Sequence, residues 1–114
     1  MHELAVTQNL VDIALDAART AGAAQISAVH VQIGALTGIA PDSVHFYFAY
    51  LTRDTIAAGA QLALTIASAT ATCGACGASF AVVPPLDLCC PQCGGAPTSV
   101  TGGNDLLVQS IEVD

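Results

Sequence analysis

The chain has 114 residues and a formal net charge of −7, with Arg19 and Arg53 as its only lysine or arginine residues. Nucleic-acid binding requires basic side chains that neutralise phosphates, so this charge excludes that function and favours a metal cation or a basic protein as partner. Hydrophobic residues make up 54% of the chain but aromatic residues only 4%. This composition predicts a single domain with a core of small side chains, or a small domain with a metal-held lobe.

Two potential metal ligands lie at the start of the chain, in the sequence Met1-His2-Glu3. A free Met1 amine, the His2 backbone nitrogen and the His2 imidazole can form adjacent chelate rings on one ion. Nitrogen-rich, square-planar sites favour Ni(II) or Cu(II). A chain can also begin with these residues by chance, so the tripeptide alone leaves both interpretations open.

An amphipathic helix is predicted from Leu4 to Ala21. Its polar side chains share one arc at 100° per residue, while apolar residues fill the rest of the surface. Gly22 is a typical C-terminal stop for such a helix. A half-buried strand is predicted from Ser27 to Gly34, because apolar residues alternate there with polar ones such as His30.

A second helix is predicted to begin at Pro41, which suits the first helical turn. Its core stripe has the spacing i, i+3, i+4 and i+7 and consists of Val44, Tyr47, Phe48 and Leu51. With Phe46 and Tyr50 beside it, this helix is expected to form the aromatic centre of the protein. Alternating residues predict a strand over Gln61–Ala69, and a final strand over 105–114 is expected to return to the first lobe's sheet. The predicted core of that lobe contains Leu4, Val11, Leu15, Val44, Phe48 and Leu51.

Two Cys-x-x-Cys knuckles, separated by thirteen residues, carry the strongest signal in the sequence. Two residues between the cysteines let both sulfurs turn to one side of a tight loop, and two such loops complete a tetrahedron of four thiolates. Glycine follows each knuckle, where a turn requires positive φ. The pattern predicts a closed structural zinc site formed by Cys73, Cys76, Cys90 and Cys93; a pair of redox or disulfide cysteines is the alternative.

The remaining cysteine, Cys89, makes the total odd, and knuckle spacing in a chain that is not secreted indicates metal ligands rather than disulfides. No basic segment precedes an apolar run as in a signal peptide, and no stretch of about 18 apolar residues could span a membrane. We therefore expect a cytoplasmic protein without a membrane partner.

An enzymatic function finds no support in the sequence. It contains no Ser, His and Asp residues in the order of a catalytic triad, no phosphate-binding glycine loop and no three-ligand zinc pattern with an open coordination position. A zinc-ribbon adaptor that binds other proteins, without any nickel function, remains an alternative to a metal carrier.

Taken in order, these features resemble the HypA/HybF family of hydrogenase maturation nickel metallochaperones. The resemblance is carried by the Met-His-Glu start, the amphipathic helix, the segment Val31-Gln-Ile-Gly-Ala-Leu-Thr-Gly38, the two knuckles, and the Ser-Ile-Glu-Val sequence from Ser110 to Val113. It covers the whole chain, and the joint order of the motifs is more specific than any one of them.

The resemblance implies an α+β fold, in which a nickel-binding lobe places two helices on a three-stranded antiparallel sheet and a zinc-ribbon lobe is inserted. It assigns residues 1–71 and the strand 104–114 to the nickel lobe, and residues 72–103 to the zinc lobe. It implies that His2 binds nickel, with backbone nitrogens from Met1 and Glu3, and that the four knuckle cysteines bind Zn(II).

The resemblance also implies a non-enzymatic role. The protein would bind Ni(II) as transient cargo and pass it, with a nickel-handling maturation GTPase, to the large subunit precursor of [NiFe]-hydrogenase; delivery to urease is an alternative. Some family members add an acidic nickel ligand before the second helix, where Asp42 is the only acid here. Cys89 departs from the usual pattern, which leaves two interpretations open: a spare thiol, or a residue that replaces Cys90 under stress.

Overall fold

The computed structural model describes residues 3–114 and contains two helices and six strands in this part of the chain. The elements are α1 (Glu3–Thr20), β1 (Ile26–Gly34), α2 (Pro41–Leu51), β2 (Gln61–Ala67), β3 (Ala69–Cys73), β4 (Ser79–Val82), β5 (Pro97–Thr101) and β6 (Leu106–Val113). Between residues 3 and 114, no helix combines the length and the apolar character that crossing a bilayer requires.

The chain divides into two compact units. One, called the helical unit here, contains the described residues up to Gln32, together with Gly38–Thr65 and Leu107–Asp114. The other, called the cysteine unit, contains Ile33–Thr37 and Ile66–Leu106. Each unit is described separately below.

Helix α1 confirms the first predicted helix and buries one narrow stripe. The buried positions recur at helical spacing and are Thr7, Leu10, Val11, Ala14 and Ala18. Leu4 was expected in the core, but it is 48% exposed because it precedes the first buried turn. On the solvent side, Arg19 and Asp16 form an ion pair with a distance of 2.9 Å between Nη1 and Oδ1.

Helix α2 begins at Pro41 as predicted and contacts α1. It buries Val44 and Phe48. The prediction that this helix forms the aromatic centre of the protein is wrong, because the Phe46 and Tyr50 side chains are 68% and 57% exposed. These two rings lie four residues apart on the helix face that points away from Val44 and Phe48.

The first sheet has the strand order β2-β1-β6, so the final strand returns to β1 as predicted. Strands β1 and β6 are antiparallel: the Gly34 N–H donates to the Asp105 carbonyl at one end, and the Asp114 N–H donates to the Gln25 carbonyl at the other. The predicted α+β class, with two helices and a three-stranded sheet, is confirmed.

Strand β2 makes this sheet mixed, which differs from the wholly antiparallel sheet that the resemblance implies. Strands β1 and β2 run in the same direction, because residue numbers increase together along both of them. Thr65 Oγ1 lies 3.5 Å from the Val31 carbonyl, and further along the Ala35 N–H donates to the Ala67 carbonyl. The parallel pairing follows from the connection between the strands. Helix α2 lies between them in sequence and returns the chain to the end of the sheet where β1 began, so β2 runs in the same direction as β1.

The cysteine unit contains a second, antiparallel sheet of strand order β4-β3-β5. Residue Ala71 in the central strand lies opposite Phe80 on one side and Val100 on the other. The core beneath this sheet is small and consists of Ala69, Ala71 and Val82, with Leu36 and Phe80 packed against it. The sheet positions the two knuckles, since β3 ends at Cys73.

Candidate metal centre

The two knuckles have the same backbone geometry. In the first, the Cys73 N–H donates to the Ala78 carbonyl and the Gly77 N–H donates to the Cys73 carbonyl. In the second, the Cys90 N–H donates to the carbonyl of residue 95, and the N–H of residue 94 donates to the Cys90 carbonyl. Residues 77 and 94 are glycines with φ of 75° in both loops, which explains why glycine follows each Cys-x-x-Cys.

This repeated loop brings four sulfurs together. The Sγ atoms of Cys73 and Cys93 are 3.4 Å apart, and those of Cys76 and Cys90 are 3.6 Å apart. All four lie within 4.8 Å of one another. A tetrahedral site with Zn–S bonds of about 2.3 Å has S–S edges of about 3.8 Å, so the cluster has the size of such a site.

Backbone N–H groups favour the thiolate at one cysteine of each knuckle. Hydrogen bonds from the N–H of Cys76 and then of Ala75 lower the pKa of Cys73 to about 6. The Ala75 nitrogen lies 3.4 Å from the Cys73 sulfur. The corresponding hydrogen bond from the N–H of Cys93 lowers the pKa of Cys90.

At the other cysteine of each knuckle, Cys76 and Cys93, the neighbouring sulfurs disfavour the thiolate and raise the pKa. The Gly95 N–H favours the Cys93 thiolate, but the neighbouring sulfurs, that of Cys73 first, outweigh it and raise the pKa of Cys93 to about 12. The same balance between a backbone N–H and the other sulfurs raises the pKa of Cys76. Four thiolates at these distances therefore require a cation between them, since a bound divalent ion reverses the repulsion.

The backbone also leaves space for the sulfurs. A Cβ added at Gly95 would lie 3.2 Å from the sulfurs of both Cys73 and Cys93, which is tighter than ordinary van der Waals contact. Four thiolate donors in a closed arrangement fit Zn(II) and leave no open position for a substrate. The donor set thus suits a structural metal, not a catalytic one.

Cys89 is exposed and does not belong to the group of four sulfurs. Its backbone N–H donates to Asp87 Oδ1 at 2.9 Å, which fixes the chain one residue before the second knuckle. Pro91 distinguishes Cys90 from Cys89 in the sequence, because it gives the second knuckle a Cys-Pro-x-Cys pattern that begins at Cys90.

The other predicted ligands are Met1, His2, Glu3 and Asp42. Met1 and His2 lie outside the described residues. Glu3 is the first described residue of α1 and is half-buried. Asp42 is exposed in the first turn of α2.

This chain matches known proteins over its whole length. The HypA family, described as a hydrogenase/urease nickel incorporation metallochaperone, matches residues 1–113. The hydrogenase maturation factor HypA of Chlorobium limicola is 39% identical over 114 residues, covering 100% of this chain and 97% of the relative. Its counterpart from Caldanaerobacter subterraneus is 41% identical over 115 residues and is matched over 100% of both chains.

A solved structure supports the fold. The solution structure of the Ni metallochaperone HypA from Helicobacter pylori superposes with a TM-score of 0.67 at 22% identity, covering 99% of this chain and 97% of that chain. The chain therefore belongs to the HypA family of hydrogenase maturation factors and nickel metallochaperones, which are not catalytic enzymes.

Proposed function

We propose that this protein binds Ni(II) through Met1, His2 and Glu3 and delivers it for maturation of [NiFe]-hydrogenase. Structural Zn(II) is bound by Cys73, Cys76, Cys90 and Cys93. The match to the metallochaperone family over residues 1–113 is the single observation that carries this proposal. We further propose that residues 1–71 and 104–114 act as the nickel lobe, and residues 72–103 as the zinc lobe.

The position of Glu3 supports a nickel site that uses backbone nitrogens. Glu3 is the first described residue of α1, and the first N–H groups of a helix have no intrahelical carbonyl to bind. The Glu3 carbonyl, in contrast, is held in the helix and also accepts a hydrogen bond of 2.6 Å from Thr7 Oγ1. The helix thus anchors the residue while its nitrogen remains suited to a ligand role.

A carrier must release its cargo, and the two proposed sites differ in this respect. The thiolate site is closed by two loops that are hydrogen-bonded in the same way, whereas the nickel site uses an amine, an imidazole and backbone nitrogens. These ligands bind metal only when deprotonated. Nickel affinity should therefore fall as pH decreases, first below about 8, where the amine takes up a proton, and more steeply below about 6.5, where imidazole does.

The proposed partners are a nickel-handling maturation GTPase and the large subunit precursor of [NiFe]-hydrogenase. The family description names hydrogenase and urease together, so urease is a second candidate recipient. We place this function in the cytoplasm, where a reducing environment keeps cysteine thiols free for metal binding.

A calorimetric Ni(II) titration near pH 7.5 tests the nickel site in a protein produced to begin at Met1. Replacing His2 by alanine should abolish tight nickel binding and leave zinc content unchanged. Adding one residue before Met1 should also weaken nickel binding with every side chain unchanged, because the amine becomes an amide, which is a poor ligand.

The matched control is His45→Ala, since His45 is an exposed histidine on α2 that has no proposed role in nickel binding. It should bind nickel as the unmodified protein does. Equal nickel affinity for the unmodified, extended and His2→Ala proteins would contradict the nickel site and favour a zinc-ribbon adaptor.

A further inference from the structure

Strand β6 forms an open edge of the first sheet. It spans eight residues, Leu106–Val113, and within residues 3–114 its one neighbour in the sheet is β1. Natural edge strands are usually blocked by lysine or proline, because a row of unpaired backbone groups attracts further strands. The sequence of β6 contains neither residue, and its Leu107 and Val113 side chains are 51% and 39% exposed.

The same edge carries negative charge. Asp105, Glu112 and Asp114 are exposed at the two ends of the strand, and no lysine or arginine lies in or next to it. Glu112 is held in place by β1: its Oε2 lies 3.0 Å from His30 Nε2, and its backbone carbonyl accepts a hydrogen bond from Ser27 Oγ at 3.1 Å.

The Glu112 side chain nevertheless remains 63% exposed. His30 therefore positions the Glu112 carboxylate but does not occupy all of its hydrogen-bonding capacity, so the carboxylate can accept a further hydrogen bond from a cation. A fixed carboxylate beside an open backbone edge is the combination that recognises an extended peptide with basic side chains, because main-chain bonds supply affinity and side chains supply specificity.

We propose that β6 accepts an extended, basic segment of a partner protein as a fourth strand of the β2-β1-β6 sheet. This surface goes beyond the proposed nickel function, since it contains none of the nickel or zinc residues. A second copy of the chain is a poor occupant: each copy carries a net charge of −7. Antiparallel pairing of two β6 strands would also bring Asp105 of one copy towards Asp114 of the other, and like charges opposite each other destabilise strand pairs.

The opposite edge of the same sheet provides an internal comparison. Strand β2, Gln61–Ala67, is also an edge strand, but it contains no charged residue. A basic segment attracted by charge should therefore choose β6 over β2.

A synthetic peptide tests the proposal directly. The probe is an acetylated and amidated heptapeptide in which valine or threonine alternates with lysine. It should bind the zinc-loaded protein and slow amide hydrogen exchange in β6, with no slowing in β2. Two control peptides should not bind: one has glutamate in place of lysine, and the other has proline at two central positions, so that it retains the charge but cannot form the ladder.

Variants of the protein separate the carboxylate from general charge. Glu112→Gln should weaken binding of the basic peptide about two- to fivefold, the range of a single exposed ion pair. Asp16→Asn changes the net charge equally on the exposed side of α1 and should leave peptide affinity within about twofold of the original. Phe46→Ala, which removes an exposed ring of α2, should also have no effect on peptide affinity.

Three results would overturn the proposal. The first is equal binding of the proline-containing peptide, which would indicate attraction to charge without strand addition. The second is protection of β2 or of α2 instead of β6. The third is a concentration-dependent dimer, seen by analytical ultracentrifugation without peptide, that protects β6, because the edge would then belong to a second copy. Since β6 contains none of the proposed nickel ligands, loss of nickel binding in His2→Ala and loss of peptide binding in Glu112→Gln are distinguishable.

Discussion

The helical unit and the cysteine unit stabilise their folds by different means. In the helical unit, α1, β1 and α2 each bury large apolar side chains, including Leu10, Val29, Val44 and Phe48. Each such side chain contributes about 1.5–3 kcal/mol when removed from water. Apolar burial can therefore supply the stability of the helical unit.

The cysteine unit has much less to bury. Besides Cys73 and Cys90 of the sulfur cluster, its buried side chains are Ile33, Ala35, Ala69, Ala71 and Val82. Three alanines, a valine and an isoleucine offset little of the backbone entropy lost on folding, about 1–2 kcal/mol per ordered residue. The comparison teaches that one short chain can combine a unit stabilised by its apolar core with a unit whose fold is expected to depend on a metal bound by four cysteines.

Loss of the metal should produce the largest difference between the two units. Cys73→Ser or Cys93→Ser should remove zinc, because the free energy of binding, on the order of 10 kcal/mol, is also folding free energy for the cysteine unit. Metal analysis should show loss of zinc. Hydrogen exchange should show loss of protection over residues 66–106, while α1 and α2 stay protected.

Cys89→Ser is the matched control, since Cys89 is an exposed cysteine outside the cluster. It should retain about one zinc per chain. Full zinc in Cys93→Ser, or loss of zinc in Cys89→Ser, would show that the ligands are wrongly assigned. Loss of protection in both units on chelation would show that they fold as one.

A core substitution should produce the reverse pattern. Phe48 is 3% exposed, and Phe48→Ala should lower the free energy of unfolding of the helical unit by about 3–5 kcal/mol. Zinc content should stay unchanged. Chemical denaturation followed by far-ultraviolet circular dichroism measures the effect.

The control for this change lies two residues away on the same helix. Phe46 is 68% exposed, so Phe46→Ala should alter the unfolding free energy by less than about 0.5 kcal/mol. Similar destabilisation by both substitutions would mean that the exposed ring is also part of the folded core.

The same pair of rings shows how far sequence reasoning reaches. Periodicity correctly predicted both helices and the buried stripe through Val44 and Phe48. It did not place Phe46 and Tyr50 at the surface, because the aromatic character of a residue says nothing about which helix face meets a neighbour. Leu4 was misplaced for a related reason, since the end of a helix can extend beyond the core that the rest of its stripe contacts.

The strands show a second limit. Alternation predicted one strand from Gln61 to Ala69, but the chain leaves the first sheet after Ala67 and enters the second sheet at Ala69. A period of two residues marks extended backbone and does not reveal a change of partner strand. The clustering of the four sulfurs was predictable because it depends on local spacing: two residues between cysteines determine the geometry of each loop whatever surrounds it.

The smallest predicted effect compares two glycines that have the same backbone and the same free space. Gly22 follows α1 with φ of 68°, Gly94 follows the second knuckle with φ of 75°, and a Cβ at either position would have no neighbour within 4 Å. Alanine should therefore cost about 1–2 kcal/mol at both sites through backbone strain alone.

The consequence should differ, because the Gly94 N–H closes the second knuckle by donating to the Cys90 carbonyl at 2.8 Å, whereas the Gly22 N–H only donates to the Arg19 carbonyl in the last turn of α1. Strain at Gly94 is transmitted to a ligand, so Gly94→Ala should weaken zinc about five- to thirtyfold, which is the same free energy expressed as a ratio. Gly22→Ala should lower only the unfolding free energy of the helical unit. Competition with a chelator measures the zinc affinity of both variants, and Gly94→Asn should recover part of the loss because asparagine tolerates positive φ. Equal zinc affinity in Gly94→Ala and Gly22→Ala would indicate that the knuckle backbone adapts without disturbing its sulfurs.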